Sequence, residues 1–149
     1  MAQTKEALKQ TYPLPAYNFR VRVDNEVMSF AEVSGISAER GTATYRHGLS
    51  FWEGEAITTF SYGSYVTVTL KRGVVLGGRP MFFYEWLKQG DLRTLVVSLC
   101  DETGDPVISW EIARAVPVKV EAPAFDAKTN EASIESVELS VRGITMVRN

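Results

Sequence analysis

The chain has 149 residues, 16 basic and 18 acidic side chains, a net charge of −2, 45% apolar and 23% charged residues. That composition belongs to one globular domain with enough apolar surface to offset ordering entropy, and it excludes an intrinsically disordered chain. The near-neutral balance argues against a general nucleic-acid binder, which carries a basic face. The longest apolar run, Met81-Phe82-Phe83-Tyr84, is far short of the ~20 residues that cross a bilayer. Met1–Gln10 has no apolar stretch of the secretory kind. The lone cysteine, Cys100, rules out a disulfide within the chain and fits synthesis in a reducing cytoplasm. The lone histidine, His47, leaves a Cys/His zinc site out of reach.

Residues 1–15 read as an N-terminal arm, with Pro13 and Pro15 keeping the chain extended; residues 16–149 read as one domain. Tyr17, Phe19, Val21 and Val23 alternate with Asn18, Arg20, Arg22 and Asp24, the period of a half-buried strand. Asp24-Asn25 signals a turn, and Val27 to Val33 is expected as the returning strand. Residues 36–64 break the pattern. Tyr45, Phe51, Trp52, Phe60 and Tyr62 lie among four glycines, in a stretch too long for an ordinary connection. It reads as an excursion with its own hairpin or as a functional loop.

Alternation returns at Tyr65–Arg72, with Val66, Val68 and Leu70 on one face. Pro80 suits a helix start, and Phe83, Trp86 and Leu87 at i, i+3 and i+4 make one apolar face. Gly90 ends this helix, expected over 80–89. Leu95, Val97 and Leu99 alternate to a turn at Asp101–Pro106. Ile108, Trp110 and Ile112 alternate on the return, Val116, Val118 and Val120 on another strand, and Val137, Leu139 and Val141 on the last. Seven or so strands with one helix imply a closed barrel or a two-sheet sandwich.

Chemistry is sparsely signalled. Asp101, Glu102 and Asp105 lack the spacing of an EF-hand and suit a tight turn. Gly73–Gly78 lacks the Gly-Lys-Ser/Thr ending of a phosphate loop. His47 has no nucleophile near it in any motif. Cys100 shows no cationic activation. Ser34, Ser37 and Ser50 have no G-x-S-x-G context. No catalytic, cofactor or metal residues are assigned, and no enzyme activity is expected. The aromatics of 36–64 are sharper: they either fold under the loop as a satellite core or meet another chain, as interface anchors do. Charge is also divided. Residues 101–138 carry a net −6 and the rest a net +4, a pattern that suits head-to-tail assembly or a solvated acidic face.

In order along residues 12–145, the sequence resembles the tail-tube proteins of contractile phages and phage-derived contractile injection systems. The matching pieces include Tyr17–Val21, Phe30–Ile36, Tyr45-Arg46-His47-Gly48, Leu70–Gly73, Phe83–Leu87, Leu99–Gly104, Ala115–Lys119 and Ile134–Leu139. The resemblance implies a mainly β fold: a β-barrel of two roughly orthogonal antiparallel sheets, one flanking helix whose Phe83, Trp86 and Leu87 cap the barrel, and a long extended hairpin. It further implies hexameric rings stacked into a tube around a lumen that conducts DNA or protein cargo. The implied partners are a surrounding sheath, baseplate or tube-initiator proteins and a terminator. No catalysis or cofactor is implied. Assembly in the bacterial cytoplasm follows, as part of a phage tail or an extracellular particle. The excursion 36–64 is then the contact between rings, with Tyr45, Arg46, His47, Phe51, Trp52, Glu53, Phe60 and Tyr62 as candidate contact residues. Members often carry Pro-Gly near the tip of that excursion. Phe51-Trp52-Glu53-Gly54 stands there instead, which leaves a main tube subunit and a baseplate-proximal paralogue both open. The alternative is a monomeric barrel that grips a carbohydrate or other ligand with Trp52 and its aromatic neighbours.

Overall fold

The computed structural model describes residues 13–38, 40–46, 57–63 and 65–149. The strands are β1 (Phe19–Val23), β2 (Glu26–Met28), β3 (Glu32–Ser34), β4 (Arg40–Arg46), β5 (Ile57–Gly63), β6 (Val66–Gly73), β7 (Arg93–Cys100), β8 (Pro106–Glu121) and β9 (Ile134–Arg148). Among the described residues one helix, α1 (Phe82–Gln89), follows a 3-10 turn at Leu76–Gly78. Seven strands form one antiparallel sheet in the order β2-β1-β7-β8-β9-β6-β3, while β4 and β5 pair with each other in a separate ribbon.

The chain winds this sheet around one core. β7 pairs with β8 only as far as Ala115, and β6 pairs with β9 only as far as Val141. The long β8–β9 ladder therefore has its neighbours on opposite sides at opposite ends. Val21, Leu95 and Ile112 from one half lie in the same buried cluster as Leu70, Val137 and Leu139 from the other, with Phe83 and Trp86 of α1. The expected mainly β fold with one helix is present; the hydrogen bonding of the seven strands gives one continuous antiparallel sheet, open between β2 and β3, rather than two sheets crossed at right angles. Those two edges are joined by only three residues, Ser29-Phe30-Ala31. Four Cα steps span at most about 14 Å, so the sheet must curl back on itself although its ladder stays open. Phe30 in this link packs against the core, edge-on to Phe83 with ring centroids 5.8 Å apart.

The expected strand Val27–Val33 is thus two short strands on opposite edges. The core-facing residues are Met28, Phe30 and Val33, so the side-chain parity shifts by one in the link between the two strands. The two strands expected at 108–112 and 116–120 are one strand of 16 residues. Its inward positions run Ile112, Ala115, Pro117, Val120, with three-residue steps at two register irregularities. A bulge inserts one residue and turns the following side chains over. That is why Val118, expected on the face of Val116 and Val120, is 56% exposed.

Helix α1 begins two residues after Pro80 and ends at Gly90, whose φ of 68° and N–H to the Trp86 carbonyl (2.8 Å) make a left-handed C-cap. Glu85 near its start and Lys88 near its end suit the helix dipole. Phe82, Phe83 and Trp86 are buried, whereas Leu87 is 37% exposed. The apolar stripe is rotated toward Phe82 relative to the i, i+3, i+4 reading.

Candidate assembly surfaces

The excursion forms a hairpin ribbon. Its seven register pairs run from Arg40↔Gly63 to Arg46↔Ile57, setting Tyr45 opposite Thr58, Ala43 opposite Phe60 and Gly41 opposite Tyr62. Four of the eight candidate contact residues, Tyr45, Arg46, Phe60 and Tyr62, fall on its strands. His47, Phe51, Trp52 and Glu53 lie outside the described residues. Among the described residues the two strands are hydrogen-bonded into no other sheet.

A second surface surrounds the connection from β6 to α1. Val74, Val75, Leu76, Met81 and Tyr84 are large apolar residues exposed together, Leu76 at 96%. Beneath them lies an ion pair absent from the sequence reading. Arg72 on β6 and Glu135 on β9 are direct register partners and are 4% and 3% exposed. The Arg72 Nε donates to Glu135 Oε1 at 2.5 Å; Nη1 and Nη2 donate to the carbonyls of Gly78 (3.0 Å) and Arg79 (2.9 Å). The same guanidinium stacks over the Phe83 ring at 4.8 Å. A signal for it exists in the sequence: Arg72 continues the inward parity of Val68 and Leu70, and Glu135 that of Val137 and Leu139. Opposite charges at the inward end of two strands satisfy each other's burial.

The flank of α1 is sealed by two further arginines. Arg79, with φ 56°, stacks over Phe82 at 5.0 Å and pairs with Glu26 of β2. Arg93 lies over Phe82 (5.4 Å) and Trp86 (5.1 Å) and donates from Nε to Asp91 Oδ2 at 2.8 Å. That hydrogen bond holds the Asp91 carboxyl below the usual carboxylate range. The Trp86 indole N–H donates to the Asp91 carbonyl at 2.8 Å.

The sheet face away from the core carries an open polar groove of about 330 Å³ bordered by Arg20, Arg22, Ser98, Ser109 and Glu111. The Ser98 and Ser109 hydroxyls bond each other at 2.7 Å, and the Asn149 amide donates to Ser109 Oγ at 2.8 Å. Serines held this way lack the adjacent base that activates a nucleophile. In the β7–β8 turn, Asp101 Oδ1 accepts from the Thr103 and Asp105 amides and from the Thr103 hydroxyl. That is turn chemistry, with one carboxylate oxygen organising the loop. Among the described residues no three His, Cys, Asp or Glu side chains group as a metal site. No helix among them is long and apolar enough to cross a membrane. Cys100 is a buried free thiol.

No curated protein matches the sequence. Several solved structures do share its fold. The sheath–tube complex of an extracellular contractile injection system, PVC, in its extended state contains a chain 23% identical, with a TM-score of 0.81 over 99% of this chain and 100% of that one. The tube-terminating cap of the anti-feeding prophage contains one 27% identical, with a TM-score of 0.75 over 93% of each. The PVC sheath/tube terminator contains one 25% identical, with a TM-score of 0.73 over 91% of this chain and 97% of that one. The family described as T4-like virus tail tube protein gp19 matches residues 15–145. With that match spanning the seven-stranded sheet, the helix and the separate ribbon, the chain belongs to the tail tube protein family.

Proposed function

We propose that this tail tube protein is a non-catalytic structural subunit whose copies close into hexameric rings, and that the rings stack into a hollow tube conducting DNA or protein cargo. The observation that carries this reading is the family match over residues 15–145. The ribbon β4–β5, set apart from the main sheet, supports a role in joining one ring to the next. Tyr45, Arg46, Phe60 and Tyr62 on its strands, with His47, Phe51, Trp52 and Glu53 between them, are the proposed contact residues. The proposed arm, residues 1–15, lies largely outside the described residues, and Phe83 and Trp86, with Leu87 at the margin, are the proposed helix surface that caps the barrel. The three-residue link between β2 and β3 supports a barrel-like subunit with an open ladder. The proposed partners are other copies of the chain, a surrounding sheath, and initiator and terminator proteins at the two ends of the tube. Assembly takes place in the bacterial cytoplasm, and no cofactor or metal takes part. The test is size-exclusion chromatography with light scattering, followed by negative-stain microscopy of the purified protein. Rings or tubes support the reading. A monomer that binds glycans supports the ligand-binding module instead.

A further inference from the structure

The sheet face away from the core carries polar groups that the tube reading does not use. The ladder sets them in two crosswise rows. Arg22 of β1, Val96 of β7 and Glu111 of β8 are register partners in one row, and Arg20, Ser98 and Ser109 in the next. All six border the groove of about 330 Å³. Arg22 and Glu111 stand two strands apart, about 10 Å at the Cα. Between them Val96 makes an apolar floor that is only 9% exposed. Both charged residues are exposed, and among the described residues neither makes an ion pair. The Arg20 guanidinium donates to a neutral acceptor, the Gly104 carbonyl, at 2.9 Å.

The two serines add a proton count. Ser98 and Ser109 are 5% and 4% exposed. Their hydroxyls hold two protons, and the bond between them uses one, whichever oxygen donates. The Asn149 amide is itself a donor to Ser109 Oγ and takes up neither proton. The second proton therefore has no acceptor among the described residues, and it lies at the edge of the groove. A buried donor without an acceptor carries its full desolvation cost. An acceptor brought by a ligand removes that cost.

We propose that this groove binds a small zwitterion, a molecule carrying one carboxylate and one ammonium, of which a free α-amino acid is the simplest class. The carboxylate meets the Arg22 guanidinium and the spare serine proton. The ammonium meets the Glu111 carboxylate. An apolar side chain lies on Val96, with Val27 and Pro106 also bordering the groove. Charge decides the class. A simple anion is drawn by the arginines and repelled by Glu111, and a simple cation meets the reverse. A molecule with both signs satisfies both walls. The site does not depend on the tube reading.

The test is equilibrium dialysis of radiolabelled leucine against the purified full chain, with unlabelled leucine, acetate and methylammonium as competitors. The expected result is saturable uptake of one leucine per chain, half-complete near ~1 mM, as suits exposed charge contacts on so few atoms. Acetate and methylammonium, each with half of the charge pattern, displace it only at concentrations at least about tenfold above those of unlabelled leucine. Arg22→Gln and Glu111→Gln melt as wild type does, and each weakens leucine uptake at least about tenfold. Arg114→Gln, an exposed change on β8 outside the groove, leaves uptake unchanged. No saturable uptake up to about 50 mM leucine would overturn the proposal and leave a groove that holds water only. Acetate competing as well as leucine, with Glu111→Gln without effect, would overturn the zwitterion and leave a plain anion site. Equal loss in Arg114→Gln would overturn the placement in this groove.

Discussion

Single residues set the limits of this fold at a few crowded points. Trp86 is fully buried and its indole N–H is hydrogen-bonded, so Trp86→Ala removes both packing and a satisfied donor. The expected cost is about 3–5 kcal/mol, read from denaturant unfolding. Leu87→Ala, one turn face away and half in water, is expected to cost under about 2 kcal/mol. Equal losses would mean that the helix is rotated from the orientation described. Glycines give a second contrast. Gly35 has φ 89°, and a Cβ there would lie 2.5 Å from the Thr67 backbone oxygen; Gly90 has φ 68° but open space around it. Gly90→Ala is expected to cost about 1 kcal/mol, the left-handed penalty alone. Gly35→Ala is expected to cost clearly more, because β6 must move. Thermal melts of the two variants check the ranking, and the reverse order would contradict the close approach of the chain to β6.

Secondary-structure elements were legible in the sequence where the code is local. The helix shows itself through its aromatic spacing and Gly90, and the β7–β8 hairpin through alternation around an Asp/Gly turn. Strand β1 is equally plain. Three features were not legible, each because a distant contact decides it. Val27–Val33 reads as one strand, yet Met28 and Phe30 face the core from one edge of the sheet and Val33 from the other, because β2 pairs with β1 and β3 with β6. In β8 the bulges are set by register against β7 and β9, and valines at 116, 118 and 120 carry no mark of which one is turned outward. The Arg72–Glu135 pair joins residues 63 apart in sequence; parity hints at it, but only the fold brings the two together. The ribbon β4–β5 was legible as an anomaly, its candidate residues as aromatics without a local home. If the ribbon joins rings, Phe51→Ala combined with Trp52→Ala leaves a subunit that melts as wild type does and forms short tubes or single rings. Truncated interface anchors cost about 2 kcal/mol or more each, and every ring repeats the contact. Full-length tubes from that variant, measured by electron microscopy, would remove these residues from the contact.

At the scale of the molecule, the seven-stranded sheet curls around the core with its two edges held near each other by three residues of chain, and the ribbon β4–β5 stands apart from it. Exposed short edges such as β2 and β3 invite pairing with other chains, and the apolar strip at 74–76 adds a surface that water disfavours. Opposite charge is divided between two regions of the sequence, and part of that division is used within the chain, where Glu135 of the acidic region neutralises Arg72 of the basic one. The most direct test of the central claim is electron microscopy of the purified full chain, with its assembly state followed by sedimentation over rising concentration. The expected result is sixfold rings that stack into hollow tubes as concentration increases. A single monomeric species throughout, with no ring in any field, would contradict it.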